Sequence, residues 1–181
     1  LIIASHSELR MLIVFSGLPG TGKTTIAREL VRRTQAVYLR IDSIEQAMRN
    51  SGELAHDIGP AGYRVANELA LGNLELGNSV IVDCVNPVLE SRNAWSNIAT
   101  SVGAQLVNIQ VVCSDKQEHQ RRVENRISDI PDLTPPSWQS VLDHEYEAWD
   151  DTPFTVDTAL MPAAEAVAII TERFLSGFSG R

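Results

Sequence analysis

Residues 17–24, Gly-Leu-Pro-Gly-Thr-Gly-Lys-Thr, come directly after an apolar run, Met-Leu-Ile-Val-Phe at 11–15. No other part of the chain restricts the fold as much as this junction. The run reads as a buried strand. The octapeptide after it has the spacing G-x-x-x-x-G-K-[ST] of a Walker A loop. Successive backbone N–H groups must turn inward on phosphate oxygens, a path that Gly17, Gly20 and Gly22 permit. Lys23 brings an ammonium to the β- and γ-phosphates, and Thr24 brings a hydroxyl to Mg²⁺. Ile26, Leu30 and Val31 then recur at helical spacing, so a helix N-terminus faces the anion. Gly17, Leu18, Pro19, Gly20, Thr21, Gly22, Lys23, Thr24 and Thr25 are the expected nucleotide-binding residues. The competing reading is a chance glycine-rich turn. The strand before, the helix after and the presence of both reactive residues argue against it.

Further along, strands and helices alternate. Residues 37–41 read as a second strand that delivers Asp42 to its carboxyl end, where open α/β sheets bind ligands. Asp42 is either the N-cap of a helix over 43–48 or a general base for an acceptor hydroxyl. A loop over 49–59 precedes a helix that starts at Pro60, carries Val65, Leu69 and Leu76, and ends at Gly77-Asn78. Tyr63 and Arg64 in its first turn face either a cleft or solvent. Residues 79–83 form a third strand ending in Asp83, the Walker B pattern for holding Mg²⁺. Asn86, before Pro87, is either a turn former or a substrate ligand. Arg92 opens a helix that runs through Trp95 and Ile98.

Residues 106–113 read as a fourth strand. Ser114 is expected to cap the next helix, with Gln117 completing a capping box. Arg122 and Arg126 stand at i, i+4 and share a face suited to clamping phosphates, while Glu118–Arg122 offers an ordinary surface ion pair instead. The proline-rich stretch 128–137 reads as a hinge or lid. A helix over 138–149, a short strand over 154–157 and a helix over 163–175 complete the chain. The alternation predicts a parallel sheet covered by helices on both faces.

At 181 residues the chain suits one domain. A net charge of −8 argues against a nucleic acid backbone as partner. Cys84 and Cys113 have neither metal nor redox spacing and fit a reducing, cytoplasmic setting. No apolar run is long enough for a bilayer. The expected layout is an N-terminal extension or vector-derived segment over 1–10, a single domain over 11–176 with a lid about 115–137, and a frayed tail over 177–181. Oligomeric state is left open.

The combination of GLPGTGKTT, an Asp after the second strand, VIVD, and RxxxR after the fourth strand resembles the small P-loop kinases across residues 11–176. These include adenylate-kinase-like, gluconate-kinase-like and polynucleotide-kinase-like proteins often labelled AAA-family ATPases. The resemblance implies a three-layer fold, a five-stranded parallel sheet of order 2-3-1-4-5, a mobile lid, ATP as donor, and Arg122 and Arg126 as lid arginines. The segment 42–48 is similar to that of chloramphenicol-phosphotransferase-like proteins, in which an Asp activates an alcohol. Polynucleotide kinases carry an Arg three residues after the acceptor Asp, where this chain has Glu45.

The resulting expectation is transfer of the γ-phosphoryl group of ATP to a small-molecule hydroxyl. In it Lys23, Asp42, Arg122 and Arg126 are catalytic, Thr24 and Asp83 hold Mg²⁺, and Asp42, Tyr63, Asn86 and Arg92 bind the acceptor. By analogy the adenine lies near 158–162. The alternatives are a nucleotide or polynucleotide 5′-hydroxyl kinase, and a nucleotide-dependent switch without an acceptor.

Overall fold

The computed structural model describes residues 10–52 and 58–176. β1 (Met11–Ser16), β2 (Val37–Arg40), β3 (Val80–Asp83), β4 (Gln105–Val112) and β5 (Phe154–Asp157) form one sheet of order β2-β3-β1-β4-β5. Every pairing is parallel. β1 is central and wholly buried, which is why its sequence is apolar without alternation. Its side chains nonetheless divide between two cores. Met11, Ile13 and Phe15 pack with Ile26 and Leu30 of α1 (Lys23–Thr34) and with Val167 and Ile170 of α7 (Ala163–Leu175). Leu12 and Val14 pack on the other face with α3 (Ala61–Glu75) and α4 (Leu89–Val102), around the fully buried Trp95.

The helix after β2 is α2 (Ile41–Asn50), with Arg40 at the N-cap. Asp42 therefore lies inside the first turn, not at the cap. On α3 the buried face is Gly62, Ala66, Ala70 and Leu74. Val65, Leu69 and Leu76, expected to carry that helix, are 40%, 45% and 82% exposed. Small residues let α3 approach the sheet closely, and that outweighs the larger side chains on the opposite face. α3 ends in a Schellman motif. Gly77 has φ 91°, its N–H reaches the Leu74 carbonyl at 3.0 Å, and Asn78 N–H reaches Asn73 O at 3.0 Å.

α5 (Lys116–Glu124) is capped by Asp115, one residue later than expected; its carboxylate accepts from the N–H groups of Gln117 and Glu118. Arg126 lies beyond the end of this helix. α6 (Trp138–Leu142) is a single short segment, and residues 143–150 are not helical.

Arg10 is part of the fold. Its guanidinium donates to Leu74 O and Val102 O, at the ends of α3 and α4, and its carbonyl accepts from Gln105 N. Residues 1–9, 53–57 and 177–181 lie outside the described residues, so the extension, part of the 49–59 loop and the tail do too. Among the described residues no helix is long and apolar enough to cross a membrane.

Candidate active site

The phosphate loop sits at the carboxyl end of β1, gripped on both sides by its sheet neighbours. Gly17 N–H bonds Val85 O at 3.0 Å. On the other side Gly17 lies against β4 so tightly that a Cβ would stand 2.2 Å from Val111 O, and its φ is 138°. Both facts require glycine. Gly22, with φ 99°, turns the chain into α1. Lys23 is 8% exposed, and its Nζ donates to Leu18 O at 2.8 Å across the loop. Burial pushes the Lys23 ammonium down from its ordinary pKa, while the nearby Asp83 and Asp42 carboxylates oppose the shift.

Thr24 and Asp83 meet directly, the hydroxyl donating to Asp83 Oδ2 at 2.7 Å. Tyr38 of β2 donates to the same oxygen at 2.8 Å, and Arg40 Nε stands 3.8 Å away. A hydroxyl beside a buried carboxylate suits a hard divalent cation whose other ligands are phosphate oxygens and water. Among the described residues no three His, Cys, Asp or Glu side chains converge on a metal position, so the share of such a site that these residues supply is this pair.

Lys23, Thr24, Asp42, Asp83, Arg122 and Arg126 all line one cavity of ≈ 600 Å³. Its floor is the phosphate loop and its roof is the stretch from Arg121 to Pro136, within the expected lid. Asp42 lies 3.7 Å from Arg40 Nη2 and 4.0 Å from Arg126 Nη2. Arg122 is held away from the open space. It pairs with Glu118 at 2.7 Å and donates to Thr158 Oγ1 at 2.7 Å and Thr158 O at 3.1 Å. Arg121 grips the same Glu118, and the two arginines push that carboxyl down to about 2. Thr158 also donates to Thr21 O at 2.7 Å, tying the turn after β5 to the phosphate loop.

Three expected acceptor ligands do not line this cavity. Tyr63 is half-buried under the loop after β3, where its hydroxyl accepts from Asn86 N–H at 2.8 Å. Asn86 is fully buried with φ 52°. Its amide donates to Ser16 Oγ and accepts from Ser91 Oγ. Arg92, 6% exposed, donates to the carbonyls of Asn86, Pro87, Glu147 and Ala148 and packs on the Trp149 ring at 4.2 Å. It thereby ties the non-helical stretch 143–150 to α4 and to the loop after β3. We expect Arg92→Met to cost roughly 3 kcal/mol, lowering Tm by about 10 °C. Calorimetric binding of a nucleotide analogue below that Tm should change little; a large loss would return Arg92 to the binding site.

Four participants escaped the sequence reading. Arg40 had a signal, a charge inside the apolar strand Val-Tyr-Leu-Arg-Ile. Tyr38, close by in that strand, and Asp129 in the roof had none. His119 bonds Pro19 O at 2.8 Å through Nε2, which a carbonyl acceptor fixes as the protonated nitrogen. Its ring packs edge-on against Trp138, so the base of the roof is joined to the phosphate loop.

Comparison with known families adds one decisive match, over residues 12–135, to the family described as AAA domain. The chain belongs to that family. Comparison with curated proteins gives no match. Among solved structures, the APS kinase CysC of Mycobacterium tuberculosis in complex with AMPPNP and APS is similar at TM-score 0.69 and 16% identity, covering 93% of this chain and 99% of that one. A sugar kinase from Janibacter sp. HTCC2649 matches at 0.65 and 18%, covering 91% and 93%. A gluconokinase from Sinorhizobium meliloti 1021 matches at 0.62 and 18%, covering 89% of each chain. The AAA-domain chain described here therefore has the fold of the small P-loop kinases.

Proposed function

We propose that this protein is an ATP-dependent phosphotransferase acting on a hydroxyl of a small molecule. The observation that carries the reading is the convergence of a phosphate loop, the Thr24–Asp83 pair and the carboxylate of Asp42 on one cavity. A switch needs the first two and has no use for the third. Kinase names among proteins of the same fold support it.

Thr24 and Asp83 would hold Mg²⁺, which supplies charge neutralisation at the β- and γ-phosphates. Lys23 releases Leu18 O and takes a phosphate oxygen. Asp42 aligns the acceptor hydroxyl and receives its proton late; positioning and electrostatics dominate in a loose transition state, so little basicity is needed. Arg126, and Arg122 once freed from Glu118, offset charge on the transferring group, and the roof excludes water. The adenine is assigned to the turn beyond Thr158, which already touches the phosphate loop.

The test is ATP consumption with Mg²⁺ across hydroxylated acceptors: sugars, sugar acids, nucleosides, aminoglycosides, chloramphenicol and a DNA 5′-hydroxyl end. Stimulation by one small acceptor with a phosphorylated product by mass is the expected outcome. Slow hydrolysis indifferent to the whole panel would favour a switch.

A further inference from the structure

Arg40 is a cation in a place that needs an explanation. Its side chain is 2% exposed, yet it lines the cavity. Nη1 donates to both oxygens of Asp129, at 3.0 and 2.9 Å. Nε and Nη2 have no hydrogen-bond partner among the described residues; only the longer ion pairs to Asp83 and Asp42, at 3.8 and 3.7 Å, face them. A buried guanidinium with unmet N–H groups is costly, and such forks are ordinarily completed by a planar or tetrahedral oxyanion.

Asp129 reaches Arg40 from the roof, and Arg28 of α1 grips the same carboxylate. Burial raises the Asp129 carboxyl, but Arg40 and Arg28 lower it by more, so it stays charged below its ordinary range. The charge balance agrees. Lys23, Arg28, Arg40, Arg121, Arg122 and Arg126 line the cavity with Asp42, Asp83 and Asp129. Even with Glu118 paired to Arg121 and Arg122 behind it, the described lining carries an excess of cations, in a chain whose net charge is −8. The first Walker A contacts lie at β1, whereas Arg40 ends β2 at the sheet edge, two strands away and beside Asp42.

We infer that Arg40 and Arg28 form an anion subsite of the acceptor pocket, that Asp129 occupies it in this structure, and that the acceptor carries a carboxylate or phosphate near its reactive hydroxyl. The inference rests on the phosphotransferase reading for the word acceptor. One guanidinium touches both positions, so hydroxyl and anion are joined by a short spacer. Ligand binding replaces the Asp129 carboxylate on Nη1 with an oxyanion that also takes the unmet Nη2, and Asp129 leaves with the roof.

The test is calorimetric titration of acetate and of inorganic phosphate into protein saturated with AMPPNP and Mg²⁺, so that the phosphate loop is filled. One further anion site is expected. Asp129→Asn removes the internal competitor and should tighten it about tenfold, since apparent affinity scales with the fraction of vacant sites. Arg28→Gln, on a half-exposed helix position, should weaken it, and Arg40→Lys should weaken it more. Preference for acetate or for phosphate names the anion class. Absence of a second anion site, or affinity unmoved by Asp129→Asn and Arg28→Gln, overturns the inference even if Arg40→Lys fails to fold. Phosphoryl transfer is not read in this titration. Anion binding without transfer to any acceptor would remove the kinase reading alone, and transfer to an uncharged alcohol without anion binding would remove the subsite alone.

Discussion

Lys23→Ala should yield a folded protein whose ATP turnover is lower by about a thousandfold, the scale on which a single charge-stabilising donor acts. The ammonium is seated inside the phosphate loop, almost buried, and among the described residues its hydrogen bond is to Leu18 O, 2.8 Å away. That bond is local, five residues apart, within the phosphate loop itself. The stability cost should therefore stay near 1 kcal/mol. Turnover and melting temperature separate the two effects. A variant that melts normally and turns over ATP at the parental rate would end the claim that this loop is a catalytic phosphate site.

Asp42→Asn should reduce transfer to the acceptor by about 10²–10⁴-fold, the range in which a positioned proton acceptor contributes. AMPPNP affinity should hold to within a few-fold, because Asp42 is outside the phosphate loop and the Thr24–Asp83 pair. The structural cost can be bounded. Asp42 is in the first turn of α2, and its side chain is 42% exposed. A charge there is worth about 0.3–1 kcal/mol through the helix dipole, and the long contacts to Arg40 and Arg126 add little. A transfer defect of three or more powers of ten, about 4 kcal/mol, cannot come from that source. If transfer falls only in step with stability, Asp42 belongs to the helix and not to the chemistry.

How much the sequence made legible depends on how local each signal is. The phosphate loop is one contiguous stretch with a strand before and a helix after, so spacing alone identifies it. The parallel sheet is implied by alternation, while its order came only with the family resemblance, because pairing partners such as Leu12 and Val80 are distant in sequence. The α3 face was misjudged because apolar residues lie on both sides of that helix, and closeness of approach, not side-chain size, decides which is buried. Residues 143–149 read as helix from their spacing, yet Arg92 takes up the Glu147 and Ala148 carbonyls that a helix would have used. Tyr63, Asn86 and Arg92 looked like ligands because polar groups beside a strand end often are. Here they hold one another and the loop after β3. Arg40 and Asp129 are 89 residues apart, and only the folded roof brings them together.

Cys84 sits next to Asp83 on the seam between β3 and β1, 3% exposed, with its Sγ donating to Phe15 O at 3.4 Å. Burial and the adjacent Asp83 carboxylate push its thiol well above the ordinary range. The thiolate that alkylating reagents attack is thus suppressed while the seam is shut. Because Cys84 also lines the cavity beside the phosphate loop, the rate at which a small maleimide marks this sulfur reports how often the buried thiol is uncovered there. Nucleotide bound to the neighbouring loop should slow that labelling, the more so the further its concentration exceeds its Kd.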